Sequence, residues 1–196
     1  MQHIALTTIA HRLTKTSLLT GTSDADRFLH KQFLFLTVIG LKPVSQIHAG
    51  HWRKTATGRI AVPDDFTEVK TFLDQLPLAY QIQAESFALS IWVATNQETL
   101  NQMLEATDNY QRGLLLGYPE TSVKTLCNAE AELLPLAEQD RLLGQEGSDE
   151  HLLNLVCFRM SRQHYRTEFE TVKQWSRVLQ QYGLFSADST TSSDTD

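Results

Sequence analysis

The stretch of the chain richest in chemically active side chains is HAGHWRKTATGR, residues 48–59. Its Thr-Gly turn places backbone amides and hydroxyl groups beside basic side chains, a combination that binds phosphate or carboxylate. We therefore predict a small-anion site, with the ligand-binding residues His48, His51, Arg53, Lys54 and Arg59. Zinc binding is not predicted, because an HxxH pair on a strand points to opposite faces and no cysteine or acidic ligand lies at a suitable spacing. The alternative is a polar hairpin loop exposed to solvent.

A second unusual stretch is RGLLLGYPETSV, residues 112–123, where one helix is predicted to end and another to begin. Gly117 suits a left-handed helix C-cap, Pro119 suits the first turn of the next helix, and Glu120 complements the positive end of that helix. We expect the ring of Tyr118 to pack into the corner. A structural corner is favoured over a ligand cradle at the new helix N-terminus. The helix junction of Gly117, Tyr118 and Pro119 is thus predicted to be scaffolding.

The remaining reactive side chains give weaker indications. Cys127 and Cys157 have no CxxC spacing, so the sequence predicts neither a disulfide framework nor a zinc ribbon, and both are expected to be small buried hydrophobic side chains. His164 and Glu168 are four residues apart and could exchange a proton, but such pairs are common on helix surfaces. The chain has no GxSxG, P-loop, GxGxxG or HExxH motif. No catalytic residue, cofactor or metal is therefore predicted.

Four basic residues of the last predicted helix fall on one stripe: Arg162, Arg166, Lys173 and Arg177. Such a stripe can meet an acidic partner or a nucleic-acid backbone. Glu170 lies within it and neutralises part of its charge, which favours a solvated helix flank. The whole chain has 17 Lys and Arg against 23 Asp and Glu, a net charge of -6, which disfavours general attraction to nucleic acid or an anionic membrane.

Length and composition are those of a globular protein. The 196 residues are 41% hydrophobic and 20% charged. The longest apolar stretch, 33–41, has nine residues, whereas a membrane span needs about 20. The start of the chain lacks the pattern of a signal peptide, so a cytoplasmic location is expected. The Ser, Thr and Asp residues of 186–196 predict a disordered tail, which leaves 1–185 as a single α+β domain.

Alternation of apolar and polar residues predicts the sheet. FALSIWVAT, 87–95, is apolar enough to be covered on both sides, and LAYQIQAE, 78–85, is its half-exposed antiparallel partner. LLNLVCFRM, 152–160, is a further strand candidate, and 44–52 with 58–62 form a weaker pair. The predicted fold is α+β, with an antiparallel or mixed sheet of four or five strands covered by helices.

Capping residues and a period of 3.6 predict the helices. The last helix has an unbroken apolar stripe, so we expect it to be long, amphipathic and packed on the sheet. Its stripe consists of Tyr165, Phe169, Val172, Trp175, Leu179 and Tyr182. The predicted helices run over 24–39, from Asp64 or Asp65 to Leu76, from Asn96 through Leu114, and from a cap at Ser161 to a stop at Gly183.

Two segments together resemble an uncharacterised family of small microbial proteins: RGLLLGYPETSV and, some thirty residues later, VCFRMSRQHYRTEFETVKQWSRVL. In that family a helix runs into a Gly-Tyr/Phe-Pro turn, and a strand leads into a closing helix that carries a Trp. Some related sequences have cysteines just after the turn, where this chain has Thr121 and Ser122. The resemblance covers the C-terminal half and implies a fold but no activity.

The predicted function is a cytoplasmic binding or interaction module that recognises a small anionic ligand through residues 48–59. The alternative is an enzyme that acts on a phosphorylated or carboxylated metabolite, with His51 or His164 in acid-base chemistry and the basic stretch as a substrate clamp. A small anionic ligand or a protein is the expected partner, and the interpretation allows a homodimer. Nucleic acid and membrane are not expected partners.

Overall fold

The computed structural model describes residues 6–16, 24–48, 53–54, 60–61, 66–84, 89–128, 132–145 and 150–184. Within these ranges it contains nine helices and five strands. The helices are α1 Leu6–Lys15, α2 Asp24–Val38, α3 Phe66–Leu73, α4 Gln97–Glu105, α5 Asn109–Leu115, α6 Glu120–Cys127, α7 Leu136–Gln145, α8 Glu150–Asn154 and α9 Tyr165–Gln181. The strands are β1 Val44–His48, β2 Arg53–Lys54, β3 Ile60–Ala61, β4 Ala79–Ala84 and β5 Leu89–Ala94.

The main sheet has three antiparallel strands in the order β1-β5-β4. The predicted hairpin is present as β4 and β5, in a register that pairs Ile82 with Ile91. The strand β5 is the central strand of the sheet, because it also pairs with β1 on its other side. Consecutive residues of β5 point to opposite faces, and both Ser90 and Ile91 are fully buried. Both faces of the central strand are therefore covered.

The predicted sheet of four or five strands is wrong, because two of its candidates behave differently. Residues 44–48 pair with β5, while the described residues 60–61 form β3 and pair with β2 in a separate two-stranded sheet. Residues 152–160 hold the end of α8 followed by irregular backbone. The backbone of Met160 there bonds to the Gln139 side chain and to Leu134. A short apolar run is as compatible with such a buried irregular segment as with a strand.

The long helix predicted from Asn96 through Leu114 is two helices. Asn96 caps α4 as predicted, accepting a hydrogen bond from the Thr99 amide at 2.9 Å. The chain leaves the helix at Ala106, and Asp108 caps α5 by accepting from the Gln111 amide at 2.8 Å. A second N-cap thus interrupts the periodic pattern. The helix α4 lies on the sheet as expected, whereas α5 contacts α4 and α6.

The helix α9 has the predicted buried stripe, in which Phe169, Val172, Trp175 and Leu179 are buried. It begins after His164 and not directly after Ser161, whose Oγ accepts a hydrogen bond from the His164 amide. The expectation that this helix packs on the sheet is wrong. Its main contacts are with α2, α6 and α8.

The helix α2 connects the sheet with α9. It contacts β1, β5 and α9, and Leu34, Phe35 and Leu36 are fully buried. It ends before Gly40, which has a φ of 77° and leads directly into the turn that holds Lys42. None of the helices in the described ranges is both long and apolar enough to cross a membrane.

Candidate functional site

The predicted anion-binding stretch falls only in part on described residues. His48 ends β1, and its backbone amide donates a hydrogen bond to His30 Nδ1 at 2.7 Å, with the two rings 4.9 Å apart. Arg53 and Lys54 form β2. His51 and Arg59 lie outside the described residues. The convergence of these five side chains on one anion therefore stays a prediction.

The helix junction has the expected backbone. Gly117 has a φ of 75°, and a Cβ built on it would lie 3.2 Å from Pro43 Cδ, so a larger residue would be both strained and crowded. Pro119 precedes α6, and Glu120 lies in the first turn of that helix. The interpretation of this junction as scaffolding stays a prediction, and Tyr118 also lines a cavity together with ionisable side chains.

The cavity has a volume of about 590 Å³. Its lining comes from α5, α6, the first turns of α7, residues 156–159 and Tyr118, and we call it the α5–α6 cavity. Two of its lining residues, Leu126 and Leu136, are 51% and 56% exposed, so its rim is apolar. Ser122 Oγ donates to the Arg159 carbonyl at 2.5 Å and thereby fixes α6 to the irregular segment. The remaining apolar lining is Leu116, Val123, Val156 and Phe158.

Among the described residues of the lining, the charged ones are two arginines. Arg112 donates from Nε to the Ala106 carbonyl at 3.0 Å. Arg159 donates from Nη2 to the Leu134 carbonyl at 2.8 Å, whereas its Nε is enclosed by protein and has no hydrogen-bond partner among the described residues. A backbone carbonyl thus holds each guanidinium group in place.

A buried lysine lies directly behind the wall of this cavity. Lys42 is only 2% exposed, and its Nζ donates to the Leu116 carbonyl at 2.6 Å. Three aromatic rings surround the amine, with centroids 4.5 to 5.1 Å from Nζ. We call these rings, of Phe33, Tyr118 and Trp175, the Lys42 cage. Burial lowers the pKa of Lys42, which the neighbouring Cys157 opposes, while the rings favour the ammonium form through cation–π attraction.

Cys157 connects the buried lysine with the cavity. It lines the cavity, and its Sγ lies 4.0 Å from Lys42 Nζ. Burial raises the pKa of the Cys157 thiol, which Lys42 and a hydrogen bond with the Tyr118 side chain oppose. Burial also raises the pKa of Tyr118, and the same contact with Cys157 adds to that shift. An amine, a thiol and a phenol therefore meet at one wall, and burial favours the uncharged form of each.

The structure places the other side chains singled out in the sequence in different environments. Cys127 is exposed, so its predicted burial is wrong, because it lies on the outer face of the last turn of α6. Ion pairs join Arg162 of the basic stripe to Glu132 and Glu138, and they join Lys173 and Arg177 to Glu170. Glu168 is fully buried and accepts from the Ser161 amide at 2.8 Å, while His164 is exposed.

The sequence pattern did not identify Lys42 and Arg159 as site residues, and it indicated Cys157 only as a small buried hydrophobic side chain. A signal for two of them existed. Lys42 directly follows the longest apolar stretch, and Arg159 interrupts the apolar run 152–160. Charged residues in such places are rarely buried without a partner. Their convergence depends on the packing of α2 against residues 155–160, which no local pattern records.

Comparison of this chain with protein-family models, curated proteins and solved structures gives no match. The resemblance of the C-terminal half to a family with a Gly-Tyr/Phe-Pro turn therefore gains no support. The function has to be argued from the geometry of the α5–α6 cavity.

Proposed function

We propose that the protein is a ligand-binding module and that the α5–α6 cavity takes a small apolar molecule that carries a carboxylate. The observation that carries this proposal is the cavity of about 590 Å³, in which Arg112 and Arg159 are the charged residues of the described lining. Ligand sites are commonly concave and largely apolar, with a few polar groups that fix the orientation of the ligand. The class of ligand is the one that the 48–59 stretch predicts, but the proposed site is elsewhere.

The positive charge of the cavity lining supports the proposal that the ligand carries a carboxylate. Guanidinium groups bind carboxylates through charge-assisted hydrogen bonds, which are stronger than those between neutral groups. Neither arginine has an ion pair with a described carboxylate. An anion entering the cavity would meet two positive side chains, and none of the described lining residues is acidic.

The apolar rim supports the proposal that the rest of the ligand is an apolar tail. Leu126 and Leu136 are among four large hydrophobic residues that are exposed in the described part of the chain, and both belong to the lining. Covering them with an aliphatic tail would remove apolar surface from water, at about 25 cal/mol per Å². We also propose the cytoplasm as the location of this function, supported by two cysteines that form no disulfide.

The test compares octanoate with octanol, which has the same tail without the charge. We expect octanoate to raise the melting temperature in a saturable manner, since a ligand at 100 times its Kd stabilises by about 2.7 kcal/mol. Octanol should bind at least about tenfold more weakly, because hydrogen bonds to charged groups contribute about 1.5–3 kcal/mol. Equal binding of the two compounds, or no shift with either, would reject the proposal.

A pair of matched variants locates the binding. Arg112→Met removes a lining guanidinium, and Arg177→Met removes an exposed one on α9 that is paired with Glu170. Calorimetric titration should show weaker octanoate binding for Arg112→Met and an unchanged Kd for Arg177→Met. Equal effects of the two substitutions would place the binding outside the cavity.

A further inference from the structure

We propose that Cys157 is a nucleophile activated by Lys42, and that it adds to α,β-unsaturated carbonyl compounds that carry a carboxylate. This activity uses the cavity of the proposed function and goes beyond binding. It rests on five groups that the fold brings together: the thiol at the cavity wall, the amine behind it, the Tyr118 hydroxyl, and the guanidinium groups of the two arginines of the lining.

The position of Cys157 gives a thiol access to a bound molecule. Cys157 belongs to the lining of the cavity, and its Sγ lies 4.0 Å from Lys42 Nζ. The reactive form of cysteine is the thiolate, and a thiol surrounded by apolar groups needs a nearby base to form it. Lys42 is within reach of that proton, and its amine is desolvated.

The Lys42 cage explains how a buried amine can accept a proton. An ammonium without water is costly, but three aromatic faces and the Leu116 carbonyl replace part of its hydration. The cation therefore has a site prepared for it before the thiol ionises. Tyr118, which lines the cavity with Cys157 and lowers the pKa of its thiol, is the positioning residue that also stabilises the thiolate.

The reaction balances within this set of groups. The thiol proton passes from Sγ to Lys42 Nζ, and the Sγ electron pair forms a bond to the β carbon of the unsaturated compound. The π electrons of the carbon–carbon double bond move to the α carbon, which takes the proton back from the Lys42 ammonium. One C–S bond forms, one π bond breaks, and no oxidant, reductant or further reactant is consumed.

The arginines specify the class of compound. A carboxylate held by Arg112 and Arg159 would direct the rest of the molecule along the cavity toward Cys157, because all three residues belong to one lining. Holding a reactant beside the nucleophile replaces a bimolecular encounter by a reaction within a complex. A neutral compound of the same size lacks this attachment.

The test measures adduct formation on the full chain with two fumarate esters. Monomethyl fumarate carries a carboxylate and dimethyl fumarate does not. Peptide mass spectrometry gives separate rates for Cys157 and for the exposed Cys127, which serves as the internal reference for the intrinsic reactivity of each reagent. The Cys157/Cys127 rate ratio should be at least about tenfold higher with the monoester, the factor that one charge-assisted hydrogen bond supplies.

Two variants test whether Lys42 and Tyr118 activate the Cys157 thiol. Lys42→Met keeps an unbranched side chain in the cage and removes the base, so the rate at Cys157 should fall by about a hundredfold with both reagents, with Cys127 unchanged. Tyr118→Phe keeps the ring and removes the hydroxyl, and it should lower the rate at Cys157 several-fold. If Lys42→Met does not fold, Tyr118→Phe alone decides, because it retains the packing of the cage.

The outcomes separate this inference from the proposed function. The inference would be overturned if neither reagent modified Cys157 faster than Cys127. It would also be overturned if neither substitution changed the rate of modification at Cys157. Octanoate binding without such reactivity would leave only the proposed function standing. Reaction at Cys157 that depends on Lys42 but shows no preference for the monoester would support the nucleophile and contradict the carboxylate site.

Discussion

A methyl group added at Gly113 tests the close crossing of α5 and α6, on which the shape of the cavity depends. A Cβ at this position would lie 2.8 Å from Val123 Cγ2 and 2.9 Å from Val123 Cγ1. Val123 is buried, and a valine in a helix has one strongly preferred χ1 rotamer, so it cannot rotate away. Gly113→Ala must therefore push the two helices apart.

The magnitude follows from two opposing terms. Overpacking of a filled core costs about 1–3 kcal/mol, whereas replacing glycine by alanine in a helix favours folding by up to about 1 kcal/mol. Gly144→Ala on α7 is the matched control, since a Cβ there has no neighbour within 4 Å. The helix preference is common to both substitutions, so Gly113→Ala should be the less stable variant by about 1–3 kcal/mol.

Urea unfolding followed by tryptophan fluorescence measures this difference. Adding Val123→Ala to Gly113→Ala removes the clash, and the two substitutions should then couple by about 0.5–3 kcal/mol. The close crossing of the helices would be refuted if Gly113→Ala stabilised the protein as much as Gly144→Ala, or if the two substitutions were additive.

Three further predictions concern the supporting elements. Phe169→Ala should destabilise the protein by about 3–5 kcal/mol, because the ring is fully buried in α9, while the exposed Arg166→Ala should have little effect in the same urea assay. Asp108→Ala should cost about 0.5–2 kcal/mol by removing the N-cap of α5; no loss would argue for a continuous helix from α4. Partial burial and the hydrogen bond to Asp74 raise the pKa of Tyr80 from 10.0 to about 12, so this tyrosine contributes stability below pH 10 that is lost as the pH rises through 12. Asp74→Asn should lower that pKa in an ultraviolet titration, and an unchanged midpoint would contradict the role of the carboxylate.

Strands were predictable where the pattern was local. The alternation in 78–85 and 87–95 predicts β4 and β5, because consecutive antiparallel strands pair through a short link. The pairing of β1 with β5 joins residues 42 to 50 positions apart, from His48 opposite Ser90 to Val44 opposite Ala94, and no local pattern encodes it. The run 152–160 misled for a related reason, since apolarity indicates burial and leaves the backbone conformation open.

Helices were predictable in their buried faces and less so in their limits and neighbours. The spacing from Phe169 to Leu179 gives the buried side of α9 correctly. It says nothing of the elements against which α9 packs, which are α2, α6 and α8. Asp108 carried the signal for the break between α4 and α5, but the periodic residues on both sides of it predict one helix.

The candidate site was the least predictable part. Its groups come from the turn after α2, from α5 and from residues 156–159, which are remote in sequence. Burial of Lys42 and Cys157 depends on how these segments pack. The sequence draws attention to the cluster of basic residues in 48–59, because that cluster is contiguous.

The central claim is that the α5–α6 cavity binds carboxylated molecules, and the amide resonance of Gly113 reports on it directly. This glycine lies in the wall of the cavity, whereas Gly144 on α7 does not line it. In a nitrogen–proton correlation spectrum titrated with octanoate, the Gly113 resonance should move saturably and the Gly144 resonance should stay in place. A Gly113 resonance that remains fixed, or that moves equally with octanol, would contradict the account.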